Sequence, residues 1–250
     1  MVMTYDGVPR KPEDLSGQVY LPERAGSLQP EMLATVRSAG LLPYVLEPTP
    51  DALFRELAAG HPVVVLLNLR AEFLPEWHYA VLFGYDLGKR EVMLRSGENG
   101  RLVMSLDDFE RAWDRSKRWA FVALKPDQMP AKVTESEYIK AAADLEKVSP
   151  GAAQTAYVSA LAKWPDDLVA RMGLGNVAYR LHDLAGAEME YGRAAKDHPD
   201  AADAWNNLAQ VLHELGRNQA ALVAAKRAVA IGGARMSIYE STLDEIRSPQ

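Results

Sequence analysis

The sequence contains no cysteine, which excludes disulfide bridges and thiolate metal sites. It has no apolar run near the ~20 residues that a membrane-spanning helix needs, and its first residues lack the charged, apolar and cleavage regions of a signal peptide. A basic excess is also missing, because the formal net charge of −6 divides evenly between the two halves of the chain. We therefore expect neither a transmembrane segment nor a nucleic-acid partner.

Metal and cofactor sites have little support either. No two histidines have a spacing typical of metal ligands, and no glycine-rich phosphate loop is visible. We expect no metal and no cofactor. The localisation stays open: this chain alone favours a cytoplasmic protein, whereas loss of an upstream signal peptide would place the protein in the cell envelope or the periplasm.

What is present is a 34-residue repeat in the second half of the sequence. Alanines recur at this spacing in two series, Ala153, Ala187, Ala221 and Ala160, Ala194, Ala228. Small side chains at fixed intervals let two helices approach closely, and Pro165 and Pro199 would end the second helix of each unit, since proline has no N–H to donate. The pattern predicts repeated helix–turn–helix units without strands.

With Trp205, the segment "LGNVAY" (174–179) and Pro199, this pattern resembles the tetratricopeptide repeat (TPR). The resemblance implies an all-α TPR helical-repeat domain over residues 137–250, preceded by a linker at residues 128–136. An amphipathic segment at residues 236–247 is expected to cap the last apolar face of the repeat.

Such repeats usually bind peptides in the groove lined by their first helices. Carried over position by position, the peptide-binding residues would be Met172, Asn176, Tyr179, Asn206, Asn207, Gln210 and His213. Asparagine and glutamine amides can pair with the backbone of an extended peptide. The alternative is that Asn176 and Asn207 are common repeat residues that only help the helices to pack.

Residues 1–127 alternate helical and strand patterns. Helices are predicted at residues 11–20, 29–40, 49–60 and 106–116, and strands at residues 44–48, 62–69, 78–86, 91–97, 101–105 and 119–126. Neighbouring strands with short turns favour an antiparallel sheet with helices packed on it, an α+β domain.

The runs "AGHPVVVLLNL", "WHYAVLFGYD" and "VMLRSG" in this half resemble bacterial bacteriocin-processing (double-glycine-leader) peptidases, which are papain-like cysteine peptidases. The resemblance implies an α+β papain-like cysteine-peptidase-like domain ahead of the TPR domain. It also implies that His78, at the start of a strand, is the general base of a catalytic site. The family carries its nucleophilic Cys and a Gln on the first helix. "MVMTYDGV" matches only the last turns of that helix, so both would lie upstream of Met1.

A third residue should orient the imidazole of His78. Hairpin pairing places His78 opposite residues near 96–97, whereas Asp86 lies more than ~25 Å away along the strand. The family has Asp or Asn followed by Pro where this chain reads "RSG". Ser96 would therefore be the orienter, without a charge to stabilise an imidazolium.

Two functions are compatible with these observations. In the first, the protein is a peptidase-like protein with a TPR domain that binds a peptide or protein. It would be inactive as written, either as a fragment of an exported cysteine peptidase or as a natural pseudo-peptidase. The alternative is a non-enzymatic TPR scaffold or adaptor that mediates protein–protein interaction.

Overall fold

The computed structural model describes residues 2–5, 7, 28–97 and 99–248. The chain divides into two compact units, residues 1–149 and residues 150–250. The helix expected at residues 11–20 lies outside the described residues. The expected domain boundaries, with a linker at residues 128–136, stay a prediction.

Helices and strands alternate in the first unit. Its helices in the described residues are α1 (Val2–Tyr5), α2 (Gln29–Ser38), α3 (Pro50–Ala58), α4 (Leu106–Asp114) and α5 (Glu135–Ala143). Its strands are β1 (Leu42–Val45), β2 (Val63–Asn68), β3 (Trp77–Asp86), β4 (Glu91–Ser96), β5 (Asn99–Ser105) and β6 (Ala120–Leu124). Helices α3 and α4 begin where side-chain caps form, because Thr49 and Ser105 accept backbone N–H groups of Ala52 and Asp108.

The six strands form one sheet in the order β1-β6-β2-β3-β4-β5, and all paired strands run antiparallel. The sheet-containing character expected of the N-terminal half is confirmed. Strand β2 is an inner strand, and all six of its residues are buried, as expected where both faces of a strand are covered. Strands β3, β4 and β5 follow one another through short turns, whereas β6 returns from far along the chain to lie between β1 and β2.

Helix α1 packs on one face of this sheet. Val2 and Met3 are buried in a cluster that includes Val64 of β2. The Tyr5 hydroxyl donates a hydrogen bond to the carbonyl of Gly60 at 2.7 Å, just ahead of β2. The C-terminal end of α1 therefore lies near the start of β2.

Hydrogen bonds hold the segment around α5 against the rest of the first unit. The Tyr44 hydroxyl of β1 donates to the Glu137 carboxylate at 2.8 Å. The buried Glu56 accepts the N–H of Ala131 at 2.7 Å through one oxygen, and its other oxygen lies 2.7 Å from His61 Nδ1. Because these partners are far apart in sequence, they hold residues 131–143 against the sheet.

The second unit is helical. Its helices are α6 (Pro150–Lys163), α7 (Leu168–Arg180), α8 (Leu184–Asp197), α9 (Ala202–Glu214), α10 (Asn218–Ile231) and α11 (Met236–Arg247). No strand occurs between residues 150 and 248, which confirms the helical repeat expected there. Gly216 lies in the turn between α9 and α10. Its φ of 73° is a left-handed conformation that glycine adopts without steric cost.

The alanines of the 34-residue repeat are buried between these helices. All six members of the two series are completely buried. Two glycines of α7 make room for tyrosine rings: a Cβ on Gly173 would overlap the ring of Tyr157, and a Cβ on Gly175 would lie 2.6 Å from the ring of Tyr191. The second unit is thus packed by pairing the largest buried side chains with the smallest.

We predict that Gly175→Ala lowers the free energy of unfolding by ~1–3 kcal/mol, because the added methyl group forces the Tyr191 ring from its place. Gly192→Ala is the matched control. It is also a helical glycine, but its Cβ would meet nothing nearer than Leu208 Cδ1 at 3.9 Å. That variant should be neutral or more stable by up to ~1 kcal/mol, since alanine favours the helix. Urea unfolding followed by circular dichroism tests the pair, and equal effects would contradict this packing.

Alkaline pH should weaken the first unit through Tyr44. Burial, followed by its hydrogen bond to Glu137, raises the pKa of Tyr44 from 10.0 to about 12. The unfolded chain releases this proton near its ordinary pKa while the folded chain still holds it, so the contribution is present below that pH and is lost as the pH rises toward 12. In Tyr44→Phe, the free energy of unfolding should fall less steeply over this range, as measured by urea unfolding. Parallel pH profiles would contradict the assignment.

Candidate functional site

The structure brings His78 and Ser96 together. His78 is the second residue of β3 and pairs with Leu67 of β2. Its Nε2 lies 2.7 Å from Oγ of Ser96, the last residue of β4. Both side chains are partly buried. Asp86 lies at the opposite end of β3, where it pairs with Glu91, so it is far from the imidazole.

This pair can orient an imidazole but supplies no thiolate nucleophile. The serine hydroxyl either accepts the Nε2 proton or donates its own, so the bond fixes the ring in one position. Serine brings no charge to favour the imidazolium. The described residues contain no thiol. Because side chains alternate along a strand, His78 faces away from Tyr79, which packs in the cluster with α1.

The connection from β2 to β3 was not singled out by sequence reasoning. We call residues 69–77 the apolar loop, because Leu69, Phe73, Leu74 and Trp77 in it are exposed. Asn68, which is only 1% exposed, closes its base: Oδ1 accepts the N–H groups of Arg70 and Glu76 at 3.1 and 3.0 Å. The only sequence signal was a polar residue at the end of an otherwise apolar strand.

In the second unit, the predicted groove residues fall on matching faces of α7 and α9. Met172, Asn176 and Tyr179 precede Asn206, Gln210 and His213 by one repeat each. A shared position in the repeat places each pair at the same point of its helix. Their local environments nevertheless differ.

Hydrogen bonds within the repeat already engage three of these side chains. The Tyr191 hydroxyl donates to Asn176 Oδ1 at 2.7 Å, and His213 Nδ1 lies 2.9 Å from Asn218 Oδ1. The Tyr179 hydroxyl donates to the carboxylate of Glu214, and this bond, more than burial, raises the pKa of Tyr179 to about 12. These hydrogen bonds hold the three side chains against neighbouring helices.

The remaining predicted residues range from buried to exposed. Met172 packs between two clusters of alanines and tyrosine, and Asn206 is only 5% exposed. The Nδ2 of Asn206 lies 3.5 Å from Oδ1 of Asn207, which is itself partly buried. Gln210 is exposed, and its amide has no hydrogen-bond partner in the part of the chain that the structure describes. Gln210 is therefore the member of the set that a ligand reaches most easily.

Sequence reasoning also missed Arg171. It is 3% exposed, pairs with Glu190 at 3.2 Å and donates to the carbonyl of Pro165 at 2.6 Å. One repeat later, Trp205 Nε1 donates to the carbonyl of Pro199 at 3.0 Å. The 34-residue interval between Arg171 and Trp205 was the available signal. Different side chains at this position donate to the carbonyls of equivalent prolines, Pro165 and Pro199.

The described residues carry neither a candidate membrane span nor a candidate metal site. None of the helices in these residues is long and apolar enough to cross a membrane. No group of three or more His, Asp or Glu side chains in the same residues is placed to hold a metal ion.

Comparisons with known proteins gave one family match and two alignments with solved structures. The tetratricopeptide-repeat family model matches residues 140–197 and 190–235. A crystal structure of MamA protein aligns at 17% identity over 56% of this chain and 76% of that chain, with a TM-score of 0.37. A second MamA crystal structure aligns at 14% identity over 58% of this chain and 95% of that chain, with a TM-score of 0.36. No curated protein matches the chain.

The matched residues and the helix order agree on the second unit. Helices α6 to α10 lie within the matched residues 140–235, and α11 follows them. Tetratricopeptide repeats suggest protein–protein interaction. Residues 140–235 of the chain match tetratricopeptide repeats.

Proposed function

We propose that this protein captures a peptide or protein partner on the face formed by the first helices of its repeats, α7 and α9. The observation that carries the proposal is the set of tetratricopeptide repeats between residues 140 and 235. On this face, Gln210 offers a free amide that donates and accepts hydrogen bonds, as an extended peptide backbone requires.

Asn176 contributes in a restricted way. Because its Oδ1 accepts the Tyr191 hydroxyl, the amide is held in one orientation. Its NH2 group, which has no partner among the described residues, is then available to a carbonyl of the ligand. Met172 and Asn206 serve the packing beneath this face, since both lie largely inside the repeat. Tyr179 and His213 border it, and each is positioned by a neighbour.

To test this, peptides are selected from a random displayed library against the full chain, and affinities are measured by calorimetry. Gln210→Ala and Asn176→Ala should each weaken binding by ~1–3 kcal/mol, because peptide groups lose their partners. Gln219→Ala is the matched control, since Gln219 is an exposed glutamine at the start of α10. Tyr191→Phe removes the hydroxyl that holds the Asn176 amide in its orientation. If Gln210→Ala and Asn176→Ala leave the affinity unchanged, or Gln219→Ala lowers it, the binding surface lies elsewhere.

A second function is proposed for the first unit: a papain-like, peptidase-like domain that lacks its nucleophile in this chain. The observation in its favour is the 2.7 Å contact between His78 and Ser96. In a papain-like site, His78 would take the proton of a cysteine thiol, and Ser96 would hold the imidazole. The thiolate would then attack a peptide carbonyl.

The placement of α1 limits the same proposal. Tyr5 ties α1 to Gly60, ahead of β2, and Val2 and Met3 pack on the sheet face that carries Tyr79. The His78 ring faces away from the cluster that holds α1. A sulfur atom would therefore have to meet the ring beyond the first residue of β3. In the alternative function, the first unit is a non-enzymatic scaffold attached to the repeats, and His78 only stabilises the sheet.

We predict that the chain as given does not hydrolyse peptides, because it has no thiol. A helical segment with Gln and Cys fused ahead of Met1, continuous with α1, should produce slow hydrolysis of fluorogenic peptides that His78→Ala abolishes. In that fusion, Ser96→Asp should raise kcat by about tenfold or more, since a carboxylate stabilises the imidazolium. Hydrolysis by the unmodified chain, or by the fusion without His78, would contradict the peptidase-like assignment. A fusion that places the thiol beside His78, as shown by crosslinking, but stays inactive would favour the scaffold.

A further inference from the structure

The apolar loop exposes an unusual amount of hydrophobic side chain in a short segment. Phe73 is 90% exposed, Leu74 58%, Trp77 55% and Leu69 42%. Single exposed apolar residues are common, but several together on one protruding segment mark an interaction surface. Neither proposed function uses this loop.

The loop has a fixed shape rather than that of a loose chain. Besides the two bonds to Asn68, the N–H of Leu69 donates to the carbonyl of Glu76 at 3.0 Å. Near the tip, the N–H of Leu74 donates to the carbonyl of Ala71 at 3.1 Å. The Arg70 guanidinium pairs with Glu76 at 2.6 Å across the base. Most polar groups near the base are thus satisfied internally, which lowers the cost of moving this segment out of water.

Charge in three segments around the loop base differs in sign from that of the whole chain. The segment after α4 reaches the base of the loop, because the Arg115 guanidinium donates to the carbonyl of Asn68 at 2.8 Å. The exposed Lys117 follows two residues later. These segments are the apolar loop (69–77), the end of α4 with its following turn (114–119) and the β4–β5 turn (95–101). They contain more Lys and Arg than Asp and Glu, whereas the chain has a net charge of −6.

We propose that this end of the first unit docks on an anionic lipid surface, with Phe73 and Leu74 entering the interfacial layer. Trp77 at the loop base suits the headgroup level, where tryptophan is favoured. The exposed Lys117 lies two residues after Arg115, which contacts the loop base, and would face the acidic headgroups. The side chains of the loop protrude, and a bilayer accepts a protrusion without a preformed pocket. A bound protein would need a pocket that matches Phe73. The carboxylate of Glu72 opposes insertion and limits it to the interface.

Co-sedimentation of the full chain with vesicles tests the proposal. One set of vesicles is pure phosphatidylcholine, and the other is an equal mixture of phosphatidylcholine and phosphatidylglycerol. The chain should bind the mixed vesicles more strongly. The double variant Phe73→Ser, Leu74→Ser should reduce the partition coefficient by about tenfold to a hundredfold, since two apolar side chains no longer leave water. Lys117→Glu should weaken binding to mixed vesicles only, and Glu72→Gln should strengthen binding.

The control is Met189→Ser, Val223→Ser, which removes two apolar side chains of the second unit that are 63% and 68% exposed. This variant should bind vesicles like the original chain. Thermal unfolding of every variant shows whether it is folded. No sedimentation of the original chain with mixed vesicles would overturn the proposal, as would equal loss in the control. The proposal would also be overturned if the loop substitutions abolish self-association or peptide binding but leave vesicle binding intact. The loop would then bind a protein and not a lipid surface.

Discussion

The close approach of helices at buried alanines is the constraint on which the second unit depends. Alanines at two positions of the 34-residue period are fully buried, so no larger side chain fits there without separating the helices. The space between pairs is filled by Tyr157 and Tyr191, which lie against Gly173 and Gly175. Packing of this kind tolerates little change in volume, because interiors are nearly as dense as crystals. The face that could bind a partner inherits its rigidity from these contacts.

The same packing limits how many polar groups the proposed binding face can present to a partner. Several polar residues on α7 and α9 are held by hydrogen bonds inside the repeat, as Asn176 is by Tyr191. A residue that is positioned in advance loses less conformational freedom on binding, but fewer of its polar groups remain for a ligand. Gln210 has the opposite character, since it is exposed and free among the described residues. The face therefore combines fixed and adaptable amides.

The first unit depends on the central position of β2. Its neighbour β3 places His78 beside Ser96, and its last residue, Asn68, anchors the loop that precedes His78. One strand end thus carries both the imidazole and the exposed apolar side chains. A change in the pairing register of β3 would turn His78 to the opposite face and separate it from Ser96. The chemistry proposed for this unit rests on that register.

Local sequence patterns determined the elements, whereas long-range pairing decided the sites. The 34-residue period and the alternating apolar runs placed most helices and strands, because these signals depend on neighbours along the chain. The turn between β3 and β4 even brought Ser96 within reach of His78, since hairpin pairing is nearly local. The return of β6 between β1 and β2 was not visible, because it joins distant segments. Nor was the burial of Asn206 beside the exposed Gln210. These two side chains lie about one turn apart on α9. They differ in what packs over them, and only the tertiary structure decides that.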